Sequence, residues 1–198
     1  VALKKAFMRF VLILFGAIIM FSCSNNDAVA QSGETITGTV NPRTPLRQEN
    51  NPEDATLSAL ILRMGEAEAS TGQKVCLPVA VEGFKDLIGF QFTMRHDSAA
   101  LKYEHVRGFT LPGYGPASFG ARFADRGYVS TLWTDNNLTG ATLPDGEKIF
   151  EICFINLQAP GESTEVRFQD GPTTFEVIAK DMSQRKIAYA NGTITTPK

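Results

Sequence analysis

From Leu57 onward the chain is built of short stretches in which apolar and polar residues alternate. In LIGFQFTMRHD, residues 87–97, Ile88, Phe90, Phe92 and Met94 take every second position, with Gly89, Gln91, Thr93 and Arg95 between them. A period of two predicts a strand with one face toward a core and the other toward water or a partner. Similar runs follow one another along the chain: LSALILRM, KVCLPVAVE, LKYEHVRGF, ASFGARFA, GYVSTLWTD, KIFEICFINLQ, TEVRFQ, TFEVIA and NGTITT. Turn-forming pairs separate them, among them Thr71-Gly72, Pro112-Gly113, Asp145-Gly146, Pro160-Gly161 and Asn191-Gly192. No helical period lasts three turns. Regular short strands with such turns predict an all-β fold, a β-sandwich or Greek-key jelly roll. NPEDATLSALILRMGEAEA, residues 51–69, stays open. Its composition tolerates a helix, while LSALILRM with a Gly break after it fits a first strand.

The first residues follow another pattern. Lys4, Lys5 and Arg9 precede twelve apolar residues, Phe10 to Phe21. That length suits the core of a signal peptide and is short of the about 20 residues a spanning helix needs. MFSC then resembles a bacterial lipoprotein cleavage box, with Met20 where Leu is favoured. Residues 1–22 read as a lipoprotein signal peptide, and Cys23 becomes the lipid-bearing first residue. The alternative is an ordinary signal peptide cut near AVAQ, residues 28–31. Residues 23–56, rich in Asn, Pro, Thr and Glu, read as a polar tether spanning roughly 30 Å. ETITGTV within it has the pattern of one short strand, with no evident partner. Residues 57–198 are the folded domain. The chain is thus exported and held at the outer membrane or cell surface, touching membrane through a lipid anchor only.

The 198 residues carry a net charge of −2, and loss of residues 1–22, with three basic residues and no acidic ones, makes it −5. With no long basic run, nucleic acid is excluded as a partner. There is no nucleophile elbow and no His in a triad order, so the chain reads as non-catalytic and without cofactor. The glycines at 113, 115 and 120 lack dinucleotide spacing. Asp135, Asn137, Thr139 and Gly140 match the first positions of a calcium loop. Position twelve is Gly146 rather than an acid, so the stretch reads as a hydrated turn and no metal site is expected. Cys76 and Cys153 lie in two strand-like runs, and export exposes them to an oxidising compartment. If those strands are neighbours a disulfide forms across them; otherwise both are buried thiols.

The order of the runs resembles that of cohesin domains. GQKVCLPVAVEGFKDLIGFQFTMRHDSAALKYEHV is similar to a cohesin's opening half, with Val75, Leu77, Val79 and Val81 in the first strand. GYVSTLWTDNN, the DGEKIFEICFINLQ run and NGTITT resemble its later strands. The chain departs from the pattern at His96, where Tyr is usual, at Ser98, where Pro is usual, and in having the cysteine pair. The resemblance implies a nine-stranded jelly-roll β-sandwich in which the strands of Cys76 and Cys153 lie side by side, both sulfurs on one outer face.

The resemblance also implies a partner and a face. In cohesins the strands matching residues 87–97 and 127–135 are adjacent and form the dockerin-binding surface. Carried across, Val129, Thr131 and Trp133 point inward, and the partner-binding face is Gln91, Thr93, Arg95, Asp97, Ser130, Leu132 and Thr134. The implied activity is protein–protein attachment of dockerin-type partners involved in polysaccharide degradation. Some cellulose-binding modules share the jelly roll, so the alternatives are a carbohydrate-binding module holding polysaccharide directly and a structural envelope or adhesion protein. Trp133 points inward, leaving Tyr114 and Phe119 as the candidates for stacking on sugar.

Overall fold

The computed structural model describes residues 34–48 and 59–198. Cys23 and residues 1–22, and with them the lipid anchor and signal peptide, lie outside the described residues. The strands are β1 (Ile36–Thr37), β2 (Arg47–Gln48), β3 (Leu60–Met64), β4 (Glu66–Glu68), β5 (Lys74–Glu82), β6 (Leu87–Arg95) and β7 (Leu101–Arg107). They continue with β8 (Phe119–Gly120), β9 (Tyr128–Thr134), β10 (Glu147–Asn156), β11 (Ser163–Gln169), β12 (Glu176–Ala179), β13 (Ile187–Ala190) and β14 (Gly192–Thr195). One sheet runs β2-β13-β3-β5-β10-β7, with β1 also on β5; the other runs β4-β14-β11-β6-β9-β8, with β12 also on β6. The two sheets form the expected jelly-roll β-sandwich, and the open stretch 51–69 is strand on both sides of Gly65 over its described part.

The core is the sum of the inward alternate residues. Val75, Leu77, Val79 and Val81 of β5 face Phe90, Phe92 and Met94 of β6, and all are buried. Phe90 stacks on Phe92 and on Trp133, with ring centroids 5.8 and 5.5 Å apart. Side chains of this size stabilise by about 1.5–3 kcal/mol each on full burial, so the inward set dominates the fold's stability. Cys76 and Cys153 are opposite each other on β5 and β10 and form a disulfide, with Cα atoms 4.0 Å apart. Beside them on the outer face, Pro78 sits opposite Glu151 and Ala80 opposite Arg63. Glu151 is paired to Arg107 and Lys148, and Arg63 to Glu82.

Two chain segments change sheets together. β3 runs parallel to β13 in the first sheet, and β4 runs parallel to β14 in the second. The crossing points are Gly65 and Gly192. A Cβ on Gly192 would stand 2.6 Å from the Gly65 carbonyl oxygen, and one on Gly65 would stand 2.7 Å from the Pro78 ring. Only glycine lets the backbones pass this closely. One end of the sandwich is closed by polar groups. The Asn156 side chain, fully buried, donates to the Ala69 carbonyl at 2.7 Å and to Thr196 Oγ1 at 2.8 Å, while its Oδ1 accepts from the Gln158 backbone and side chain. Asn156 ends a strand of the first sheet, and Ala69 and Thr196 follow strands of the second, so this cluster joins the layers.

Several expectations need correction. Part of the stretch read as tether is paired: β1 lies parallel to β5, with Ile36 beside Val75 and Thr37 beside Cys76, and β2 pairs with β13. Its strand partner was not evident because the edge of β5 is vacated only when the chain leaves for the second sheet at Gly65. In ASFGARFA, residues 117–124, only the two-residue β8 is strand; a turn follows it, and two short 3-10 helices, Pro116–Ser118 and Ala124–Arg126, overlap its ends. Ile187–Ala190 is a strand that the alternation did not single out. A bulge where β12 meets Leu87 turns Leu87 into the core, and Ile88 lines an external cleft instead.

Replacing Asn156 by Ala leaves four buried polar groups short of a partner. The expected outcome is a loss of about 2–4 kcal/mol in unfolding free energy with an unchanged urea slope, measured by urea denaturation.

Candidate functional site

The outer face of the second sheet is ordered in rows by strand register. Ladder partners of β6 are β11 and then β12 on one side and β9 on the other. One row is Arg167, Arg95 and Tyr128; the next is Gln169, Thr93 and Ser130; then Glu176, Gln91 and Leu132; then Ile178, Gly89 and Thr134. The predicted residues Gln91, Thr93, Arg95, Ser130, Leu132 and Thr134 are therefore brought together on adjacent strands, and Val129, Thr131 and Trp133 are buried on the other face.

Each side chain has a local setting. Leu132 is 54 % exposed at the middle of β9, the most open apolar side chain on the two strands. Around it, Ile88, Leu138 and Ile178 line a shallow cleft of about 220 Å³ with Gln91 and Glu176 at its polar edge. Leu138 holds a left-handed backbone, φ 53°, in the turn after β9, and its side chain is exposed. Asp135 shapes that turn. Its carboxylate accepts N–H groups of Asn137, Thr139 and Gly140, which hold it below the usual carboxylate range. Its oxygens are thus engaged by N–H and O–H groups of its own loop. At the other end, Arg95 donates to the Tyr128 hydroxyl at 2.8 Å and lies over that ring, 4.9 Å from its centroid.

Two of the predicted residues serve other purposes. Thr93 is fully buried, because the segment after β11 folds over it: its hydroxyl donates to the Thr173 carbonyl at 2.8 Å and accepts the Thr173 N–H at 3.0 Å. Alternation places Thr93 on the outer face but says nothing of a loop that covers it. Asp97 is exposed, yet its carboxylate closes the next turn by accepting the Ala99 N–H at 2.9 Å. The proposed stacking rings are also not a platform. Tyr114 is buried and hydrogen-bonds Thr131 Oγ1 at 2.7 Å, and Phe119 packs its ring on Tyr114 and Phe150. Conversely Arg167, Glu176, Ile178 and Leu138 belong to the face and were not singled out. TEVRFQ does alternate, with Val166 and Phe168 inward, so Arg167 was legible as outward; its place beside Arg95 needed the strand order.

His96 follows Arg95 and turns the other way. Its ring lies 4.9 Å from Phe154, and Nε2 has no hydrogen-bond partner. Burial lowers its pKa to about 4, against a weaker upward pull from the Ala124 backbone and Asp97. The folded value lies below the unfolded 6.5, so the unfolded chain takes the proton first. Stability is full above pH 6.5, falls between 6.5 and 4, and loses up to about 3 kcal/mol below that. Thermal melts from pH 7 to pH 4 should show this slope, and His96→Phe should flatten it.

The three-dimensional likenesses are to cohesins, at identities that speak for the fold alone. A cohesin–dockerin complex structure from Clostridium thermocellum matches at 14 % identity and TM-score 0.59, covering 70 % of this chain and 99 % of that one. The seventh ScaB type I cohesin of Pseudobacteroides cellulosolvens matches at 19 % and 0.55, covering 70 % and 92 %. A non-cellulosomal cohesin of the archaeon Archaeoglobus fulgidus matches at 19 % and 0.51, covering 71 % and 93 %. No curated protein sequence matches the chain. The Cohesin domain family model matches residues 62–195, well over half of the 198, and the chain belongs to the cohesin family of non-catalytic protein-interaction modules.

Proposed function

We propose that this protein attaches a dockerin-type partner through the outer face of β6 and β9, and that lipid on Cys23 holds it at the outer membrane or cell surface, where the partner serves polysaccharide degradation. The observation that carries the reading is the exposure of Leu132 beside an apolar cleft, on a sheet face otherwise set with hydrogen-bonding side chains. An apolar patch bordered by polar groups is the composition of a protein interface. The Clostridium thermocellum relative was solved as a cohesin–dockerin complex, which supports the same class of partner here. Direct polysaccharide binding finds less support, since Tyr114 and Phe119 are taken up by internal packing.

Recovery of binding proteins from the native secretome tests the reading. Dockerin proteins should be retained in calcium and released by chelation, and Leu132→Asp should weaken their binding by at least about 30-fold. Retention on insoluble glycan alone, or binding indifferent to Leu132, overturns it. For the anchor, labelling with radioactive fatty acid should mark the protein and not its Cys23→Ala variant; equal labelling rejects lipid attachment.

A further inference from the structure

Arg95 and Arg167 stand directly opposite each other on β6 and β11, on the same outer face. Like charges so placed destabilise a sheet unless a counter-charge is supplied. Among the described residues, no ion pair engages Arg95, Arg167 or Arg126. All three line one cleft of about 470 Å³. The acids in that cleft are otherwise engaged: Glu165 pairs with Arg47 at 3.2 Å, and Asp97 holds its own turn. Two of the guanidinium groups are also held in place. Arg95 is fixed by the Tyr128 hydroxyl and ring, and Arg126 lies over Phe123, 5.5 Å from its centroid. A guanidinium pair held this way fits a carboxylate, which it grips with parallel N–H bonds.

The cleft meets the proposed docking face at Arg95. Arg95 and Gln91, the β6 partner of Leu132, are four residues apart on one strand, about 13 Å. The face therefore has an aliphatic end at Leu132 and Leu138 and a cationic end at Arg95 and Arg167, with the covered Thr93 between. We propose that the partner docked here is a protein whose contacting surface carries aliphatic side chains at one end and carboxylates at the other, received by Arg95, Arg167 and Arg126. This rests on the docking reading above and adds the partner's chemistry and its direction on the face. On a helix, positions i+7 and i+11 lie on the same side as i, at about 10 and 16 Å, and bracket the separation.

The probe is a labelled helical peptide with Leu at i and i+4 and Glu at i+7 and i+11, compared with the same peptide carrying Lys for Glu. Fluorescence anisotropy on the whole protein should show the Glu peptide binding at least about tenfold tighter than the Lys peptide, with the preference shrinking as salt rises. Arg95→Gln with Arg167→Gln should abolish the preference. Arg167→Gln alone, at an exposed site, should reduce it by itself, which separates the effect from any loss of folding. Equal binding of the two peptides, binding of neither, or a preference that survives the arginine variants overturns the inference. So does polygalacturonate binding that needs the arginines and ignores Leu132→Gln, which would make the ligand an acidic glycan. If dockerin recovery falls with Leu132→Asp but is untouched by the arginine variants, the docking reading stands and this one fails.

Discussion

Strand β6 meets two opposed environments with alternate residues. Phe90, Phe92 and Met94 have to enter the inter-sheet core, which throws Gln91, Thr93 and Arg95 onto the outer face. A slip of one residue would exchange the sets, putting an arginine among phenylalanines, so the register is held firmly. The same restraint aligns β9, whose Thr131 and Trp133 enter the core and leave Leu132 outside. The composition of this outer face is thus a by-product of core packing. One end is aliphatic and the other cationic because those are the residues the core leaves out.

The sandwich also depends on how its layers are joined. The paired crossings at Gly65 and Gly192 carry two chain segments from one sheet to the other side by side, and Asn156 ties the layers at their end with hydrogen bonds. Cys76 and Cys153 stitch β5 to β10 within one layer, and that layer is not the one that carries the face. Rigidity of the face comes instead from β6, which is bonded along both of its edges.

Much of this was legible in the chain. Period-two runs marked most of the longer strands, and the resemblance to cohesins placed Trp133 inside and Leu132 outside. What these missed has physical reasons. Thr93 was placed on the outer face, but a loop 80 residues later in sequence covers it, and alternation within a strand carries no information about distant loops. Ile88 leaves the pattern because a bulge breaks the period, and Arg167 joins Arg95 only through strand order. Tyr114 looked like a loop ring free to stack, yet its loop folds inward and its hydroxyl finds Thr131. Residues 34–48 were polar enough to read as linker, because strands as short as β1 and β2 leave almost no periodicity to detect.

That short β1 bears on how traction would travel. A tug entering the described chain at Glu34 reaches the sandwich first through the two-residue parallel contact of Ile36 and Thr37 with Val75 and Cys76. Cys76 is covalently fastened to β10, so strain arriving there spreads at once over two long strands instead of one. Two residues further on, Thr39 exchanges backbone hydrogen bonds with Glu66 of β4 in the second sheet, so both layers share the load.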